Sequence, residues 1–196
     1  MSRVFLFSTL AFYVLFGYCT NPFSTRTPEE PNIFEGDGVS DTRQTDPDAL
    51  FSKFLNSISS KNVSHYQECL ADDQQGGINF LFIPENREFS RLTNWTKQDE
   101  INYFNKIINT EEIQEIDVIF SDRSDVQIAT DTLETQVQYE LNIQFRTKIE
   151  NYQGRSILKI LRSSSSLWYI YYWEDLSLNS NITNNTWSTL KADYRY

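Results

Sequence analysis

Hydrophobic and polar residues alternate along one long segment of the chain, QVQYELNIQFRTKI from Gln136 to Ile149. A period of two places successive side chains on opposite faces of a β-strand. The pattern therefore predicts a strand with one buried face and one face in water, as in an antiparallel sheet. The residues expected on the buried face are Val137, Tyr139, Leu141, Ile143, Phe145, Thr147 and Ile149.

Further strands are predicted on both sides of this one. Upstream, Ile116, Val118 and Phe120 follow the same period of two. Downstream, we expect Gly154 to turn the chain into RSILKILR, and SSSS to turn it into LWYIYYWEDL. Consecutive strands joined by short turns form a meander.

Helices are predicted before the strands. Asp46 and Pro47 suit the N-cap and first position of one helix, Asn62 suits the N-cap of a second, and TKQD at Thr96 to Asp99 opens a third with a capping box. GGINFLFIP lies between the second and third helices and is predicted to be a short extended segment. The apolar residues expected on the inner faces are Leu50, Phe51, Phe54, Leu55, Ile58, Val63, Tyr66, Cys69, Leu70, Ile101, Phe104, Ile107 and Ile108.

Helices first and a long antiparallel meander last predict an α+β domain over residues 46–196. This order resembles the nuclear transport factor two-like superfamily, also called ketosteroid isomerase-like or cystatin-like. The segments that carry the resemblance are CTNPF, DPDALFSKFLNSISSKNVSHYQECL, WTKQDEINYF, LWYIYYWEDL and TWSTLKADYR. The resemblance implies helices packed in a curved sheet, which forms a cone with a pocket. It also suggests exported bacterial lipoproteins of unknown function with this fold.

The first residues have the character of a targeting signal. Arg3 precedes an uncharged apolar segment, Val4 to Phe16. As a helix this segment would span roughly 20 Å, which is short of the ~30 Å hydrocarbon core of a bilayer. We therefore interpret residues 1–18 as a signal peptide.

Cys19 ends that segment, and two interpretations of it remain open. LFGYC resembles the lipobox of bacterial lipoproteins, in which the Cys becomes the first mature residue and carries lipid; Tyr18 departs from the small residue usual there. The alternative is ordinary signal cleavage after Cys19, with Gly17 and Cys19 as the small recognition residues. The first interpretation predicts attachment to a membrane of the bacterial cell envelope, and the second predicts a soluble secreted or periplasmic protein.

Residues 19–45 are predicted to be a disordered acidic tether. This part of the chain is rich in proline and in Asp and Glu, and its few apolar residues show no period. The whole chain has a formal charge of −10 and contains no run of Lys or Arg, so we expect no binding to nucleic acid.

No catalytic motif stands out. His65 is the single histidine, Asp72 and Asp73 are an adjacent acid pair, and each is expected to be an ordinary surface feature. Cys69 is expected to be a small core residue rather than a reactive thiol. We expect no metal and no cofactor, and no catalytic residue can be matched to the enzymes of the superfamily.

The aromatic run WYIYYW is the strongest candidate for a binding surface. Strict alternation would place Trp168, Ile170 and Tyr172 on one face of a strand and Tyr169, Tyr171 and Trp173 on the other. Either the C-terminal TWSTLKADYRY folds back over these rings, or they form a face for a ligand or partner. The candidate ligand or partner residues are Trp168, Tyr169, Tyr171 and Trp173.

The sequence therefore favours an exported, lipid-anchored binding or structural domain whose ligand, a small molecule or a protein, is unknown. The alternative is an enzyme of the ketosteroid isomerase or dehydratase type with an acid in its pocket. The interior of the cone discriminates between them. An enzyme would hold an acid beside Tyr or His in an open pocket, whereas a binding or structural domain would fill the cone with apolar side chains.

Overall fold

The structure is a computed structural model that describes residues 43–75, 77–178 and 185–195. The expected signal peptide, Cys19 and nearly all of the expected tether lie outside these ranges. In chain order the elements are α1 (Pro47–Ser59), α2 (Val63–Glu68), β1 (Leu81–Ile83), a single 3₁₀ turn (Asn86–Glu88), α3 (Lys97–Ile108), β2 (Ile113–Ala129), β3 (Thr132–Phe145), β4 (Ile149–Arg162), β5 (Trp168–Leu176) and α4 (Trp187–Asp193).

The five strands form one sheet in the order β1-β5-β4-β3-β2. Strands β2 to β5 are the predicted antiparallel meander, because each pairs with the next one along the chain. Strand β1 is the short extended segment predicted from GGINFLFIP, and it pairs in parallel with β5. The sheet is therefore mixed, and the fold is α+β with a curved sheet packed against the helices, as predicted.

The predicted face assignment of β3 is confirmed. Its inward residues from Val137 to Phe145 are at most 7% exposed, whereas the residues between them are half-buried or exposed. The prediction that Thr147 and Ile149 continue the buried face is wrong, however. The chain turns after Phe145, and Ile149 begins β4 with 69% of its surface exposed. Thr147 lies in this turn and is also exposed.

Gly154 is not the predicted turn, because it lies in the middle of β4 opposite Tyr139 of β3. A Cβ atom at this position would lie 2.4 Å from the Tyr139 hydroxyl and 2.7 Å from the Leu176 carbonyl oxygen. Glycine is therefore required here by the close approach of a neighbouring side chain rather than by a change of chain direction.

The faces predicted for β5 are wrong after Ile170. The pairing register shifts between Lys159 and Ile160 of β4, so that Tyr171 is an extra residue in β5. Such a bulge interrupts the period of two. Ile170 and Trp173 are consequently both fully buried in the core, although strict alternation would place them on opposite faces.

The three predicted helix starts are confirmed by their caps. The Asp46 side chain accepts a hydrogen bond from Ala49 N, and Asn62 accepts one from His65 N. Thr96 and Asp99 form the reciprocal capping box at the start of α3. None of the helices in the described part of the chain is long and apolar enough to cross a membrane.

The C-terminal segment folds back over the aromatic run, which was one of the two alternatives left open. It forms the short helix α4, and the Trp187 ring packs edge-to-face on Trp173 with centroids 4.6 Å apart. The side chains of Trp187, Leu190 and Lys191 are almost completely buried. Helix α4 therefore supplies part of the core inside the curve of the sheet.

The packed part of the chain already includes Gln44, two residues before the first cap. Gln44 is 3% exposed, and its backbone carbonyl accepts a hydrogen bond from Trp168 N of β5. Its side chain accepts a hydrogen bond from Lys53 and donates one to the carbonyl oxygen of Glu68. The chain thus joins the folded domain beside the first residue of β5.

Candidate functional site

The interior of the cone is the place where this fold would hold a ligand, and here it is filled by side chains. The space that remains is a cavity of about 10 Å³, which is about what one water molecule needs. The lining comes from α1, α2, α3, the sheet and α4. The lining residues are Ile58, Tyr66, Tyr103, Phe104, Ile107, Ile116, Leu141, Ile143, Trp187 and Leu190.

Two carboxylates are fully buried at the edge of this filled interior. The first is Glu100 in the first turn of α3. One of its oxygens accepts a hydrogen bond from the Tyr66 hydroxyl at 2.6 Å. The other accepts bonds from Trp95 Nε1 and Lys191 Nζ, both at 2.6 Å. A buried carboxylate with three donors is well satisfied.

Lys191 of α4 forms the other half of a buried ion pair with Glu100, and both side chains are 0% exposed. Its ammonium nitrogen lies 3.6 Å from the centroid of the Phe82 ring and 3.7 Å from that of Trp173. These two rings meet nearly at a right angle, 88°, so the ammonium group lies in the corner between them. Burial lowers the pKa of Lys191 to about 8, and Glu100 opposes this shift.

The second buried carboxylate is Asp175 of β5. One oxygen accepts a hydrogen bond from the Tyr139 hydroxyl at 2.7 Å. The other accepts bonds at 2.6 Å from the backbone N–H and from the hydroxyl of Ser188. Asp175 therefore caps the first turn of α4, where free backbone N–H groups favour a negative charge. Burial raises its pKa, although these hydrogen bonds oppose the shift.

Tyr139 links the carboxylate to the same helix from the sheet side. Its hydroxyl donates to Asp175 and accepts a hydrogen bond from Trp187 N at 2.7 Å. Burial raises the pKa of Tyr139 well above its ordinary value, and the same holds for Tyr66 and Tyr103. These hydroxyls remain protonated at neutral pH and act as hydrogen-bond groups.

Acids beside tyrosines are groups that general acid–base catalysis can use. In this structure, however, each of the two acids is bonded to α4 and to a tyrosine, and a substrate has no space beside them. Catalysis requires a position for the reacting atom within reach of the acid. The arrangement therefore attaches α4 to the rest of the domain, and within the described residues neither carboxylate faces an open pocket.

His65, Asp72 and Cys69 each have well-defined surroundings in the structure. His65 is half-buried at the start of α2. Asp72 accepts hydrogen bonds from the backbone of Gln74 and Gln75 and pairs with Lys97, which lowers its pKa although burial opposes this. Cys69 is buried, and burial raises the pKa of its thiol to about 12, as expected for an inert core cysteine. Within the described ranges no cluster of acidic, His and Cys side chains could hold a metal ion.

The four residues of the candidate aromatic surface do not share one exposed face. Trp173 is fully buried under α4, and Tyr169 is 5% exposed. Trp168 and Tyr171 are half-buried, and Trp168 packs against the core. The run contributes mainly to the inside of the domain.

Sequence reasoning missed Glu100, Asp175 and Lys191, although the periodicity places each on a buried face. Glu100 lies one helical turn before Phe104, and Lys191 lies one turn after Trp187. Asp175 lies two residues after Trp173 on the same strand face. Their polar identity obscured a signal that was present in their spacing.

Comparison with solved structures supports the nuclear transport factor two-like fold. One similar structure is a protein of this fold from Rhodospirillum rubrum, described as of unknown function in nutrient uptake; its TM-score is 0.53 at 12% identity, over 68% of this chain and 99% of that chain. Another is a candidate scytalone dehydratase from Novosphingobium aromaticivorans, with a TM-score of 0.53 at 5% identity, over 71% of this chain and 89% of that chain. A third is a candidate dehydratase of this family from Streptomyces avermitilis, with a TM-score of 0.52 at 8% identity, over 67% of this chain and 92% of that chain. At these identities the likeness shows the fold alone. No family model and no curated protein match the sequence.

Proposed function

We propose that this protein is a non-catalytic domain, exported and anchored to a membrane by lipid, whose cone is closed by its own C-terminal helix. The observation that carries the non-catalytic part is the filled interior. Helix α4 occupies the cone, the remaining cavity is about 10 Å³, and both buried carboxylates are bonded to α4. A substrate-sized ligand pocket is typically tens of times larger, on the order of 300 Å³ or more.

An enzyme of the ketosteroid isomerase or dehydratase type is the second candidate. It is favoured by the two acid–tyrosine pairs, Asp175 with Tyr139 and Glu100 with Tyr66, and by the candidate dehydratases among the structures of this fold. For such an enzyme, α4 would have to leave the cone before a substrate could reach either acid.

A direct assay separates these two candidates. The purified protein is incubated with a β,γ-unsaturated ketosteroid and with a β-hydroxy ketone, and isomerisation and dehydration are followed by ultraviolet absorbance. We expect rates equal to those in buffer. Turnover that is lost in Glu100→Gln or Asp175→Asn and kept in the surface control His65→Ala would overturn the non-catalytic assignment.

The anchor is proposed from the N-terminal sequence, in which a charged residue and an apolar segment lead to LFGYC and an acidic, proline-rich stretch follows. Burial of an acyl chain contributes ~0.8 kcal/mol per methylene, and two chains give stable attachment. The test compares wild type with Cys19→Ser by intact mass and labelled-lipid incorporation in a bacterial host. If the wild type takes up no lipid and its mature chain begins at Thr20, the protein is instead a soluble exported domain.

A further inference from the structure

The surroundings of the Lys191 ammonium group are those of a recognition site for an organic cation. The faces of two aromatic rings attract a cation through their quadrupoles, and a carboxylate accepts a charge-assisted hydrogen bond from it. The ammonium nitrogen has all three at short distance: Phe82 at 3.6 Å, Trp173 at 3.7 Å and a Glu100 oxygen at 2.6 Å.

The groups around the ammonium belong to elements other than α4. Phe82 of β1 and Trp173 of β5 are directly paired in the sheet, which brings their rings together on its inner side. Ser156 of β4 accepts a hydrogen bond from Trp173 Nε1 and fixes the orientation of that indole. The rings are therefore held by the sheet and not by the lysine that they surround.

Glu100 is also held independently of α4. Its carboxylate accepts hydrogen bonds from the Tyr66 hydroxyl and from Trp95 Nε1, so two donors fix the oxygens that face Lys191. The three groups form what we call the ammonium cage: Phe82, Trp173 and Glu100. Because the supports of the cage lie in α2, in the sheet and in the segment just before α3, the cage is preorganised.

A buried ion pair is a costly way to fill a core. Replacement of such pairs by apolar residues of similar size is often neutral or stabilising. A core that needed only to be filled at position 191 could therefore hold methionine or leucine. Instead, a lysine extends its apolar stem through the core and places its charged end in the ammonium cage, where it remains charged at neutral pH because its pKa is about 8.

We propose that the cone contains a binding site for a primary alkylammonium ion and that Lys191 occupies this site as a tethered ligand from the same chain. When Lys191 is replaced by alanine its Cβ atom stays, so the vacated site takes a short linear amine such as ethylammonium. This inference concerns the chemistry of the cone interior and stands whether or not the chain is lipid-anchored.

The test removes the tethered ligand and supplies a free one. Lys191→Ala, in the full chain, is titrated with ethylammonium chloride at pH 7, and binding is followed by isothermal calorimetry and by the shift in Tm. We expect a saturable rise in Tm and binding at least tenfold tighter than to the wild type, in which the site is filled.

Matched probes and variants define the specificity. Ethanol has the same stem without the charge, and tetramethylammonium has the charge without N–H donors or the narrow shape. Neither should reproduce the effect. The double variant Lys191→Ala/Glu100→Gln keeps the cavity and removes the carboxylate, and we expect its affinity for ethylammonium to fall at least tenfold.

Two results would overturn the proposal. One is the absence of saturable ethylammonium binding to Lys191→Ala, and the other is an equal response to ethanol, which would show an apolar void rather than an ammonium site. If Lys191→Ala does not fold alone, recovery of its circular dichroism on dilution from urea becomes the readout. Recovery with ethylammonium and not with ethanol then supports the proposal, and failure with both overturns it.

Discussion

The two buried carboxylates hold opposite ends of the same helix, but they do so by different physical means. Glu100 binds the last turn of α4 through a full cation, the ammonium group of Lys191. Asp175 binds the first turn through neutral donors, the N–H and hydroxyl of Ser188 together with the Tyr139 hydroxyl. One end is an ion pair, and the other end is a helix cap supplied by a neighbouring strand.

Because of this difference, removal of each carboxylate leaves a different kind of partner group without an acceptor. Loss of Glu100 leaves a fully buried positive charge among aromatic rings without its partner, whereas loss of Asp175 leaves neutral donors without an acceptor. An unpaired buried charge is more costly than an unpaired buried dipole. The two ends of α4 should therefore differ in sensitivity even though both carboxylates are equally buried.

The largest effect is expected for Glu100→Ala. It leaves the Lys191 ammonium buried without its partner, and we expect the free energy of unfolding to fall by about 3–5 kcal/mol. Urea unfolding followed by circular dichroism measures it. The matched control is Glu100→Gln/Lys191→Met, which removes both charges and should recover most of the loss. A loss below about 1 kcal/mol for Glu100→Ala would show that the ion pair contributes nothing to the docking of α4.

A smaller loss is expected for Asp175→Ala, about 1–3 kcal/mol, because its partners are neutral donors. The same urea titration measures it, with the exposed Asp73→Ala as the control for a change of net charge. A loss equal to or larger than that of Glu100→Ala would break the comparison between the two ends. It would show that the cap, rather than the ion pair, is the main attachment of the helix.

Gly154→Ala tests the support of Asp175 without a change of either carboxylate. The added methyl group would collide with the Tyr139 hydroxyl and with the Leu176 carbonyl oxygen. We expect a loss of about 1–2 kcal/mol in the free energy of unfolding and weaker protection of the Trp187 amide from hydrogen exchange. In a Tyr139→Phe background the cost of Gly154→Ala should be smaller, since the nearest atom is then absent. An equal cost in both backgrounds would assign the strain to the atoms that both variants keep at 2.7 Å, the ring carbon Cζ of residue 139 and the Leu176 carbonyl oxygen.

Per pH unit, the smallest effect is a difference in pH dependence between the two ends. The pKa of Lys191 is lowered to about 8, so between pH 8 and its ordinary 10.5 the folded state binds fewer protons than the unfolded state. Its contribution to the free energy of unfolding therefore rises with pH in this window, by at most about 1.4 kcal/mol per pH unit. The groups that face Lys191 are the carboxylates of Glu100 and Asp175 and the rings of Phe82, Trp173 and Tyr103.

The contribution of Asp175 to the free energy of unfolding changes with pH in the opposite direction and in a different pH range. Its pKa is raised above the ordinary 3.8, so its contribution to stability falls as the pH rises through that raised pKa. Urea titrations across pH measure both slopes. The alkaline slope should be absent from Lys191→Met, and the acid-side slope should be absent from Asp175→Asn. Persistence of either slope in its variant would assign it to another group.

The sequence predicted the parts of the fold that follow from local rules. Helix caps at Asp46, Asn62 and Thr96 depend on the few residues around them, and the alternation in β3 depends on one buried face. Both kinds of signal were sufficient. The turn after Phe145 and the bulge at Tyr171 depend on strand pairing, so the period of two failed there.

The site was less predictable because its polar residues are satisfied by distant partners. Glu100 and Lys191 are 91 positions apart, and Asp175 is paired with groups on β3 and α4. From sequence alone a charged residue on a helix is expected to face water. Gly154 was missed for the same reason, since its requirement comes from Tyr139 on the neighbouring strand.

The distance in sequence between α4 and its partners also has a consequence for the order of folding. Helix α4 has seven residues, which is too short to be stable before it docks. Apart from Asp175, which is 13 positions before Ser188, its hydrogen-bond partners lie 48 to 103 positions earlier in the chain, at Tyr139, Tyr103, Glu100 and Glu85. We therefore expect α4 to dock after the rate-limiting step of folding. Substitutions in α4 should then accelerate unfolding and leave the folding rate nearly unchanged, so the persistence of the folded state would be governed by how slowly its last helix leaves the cone.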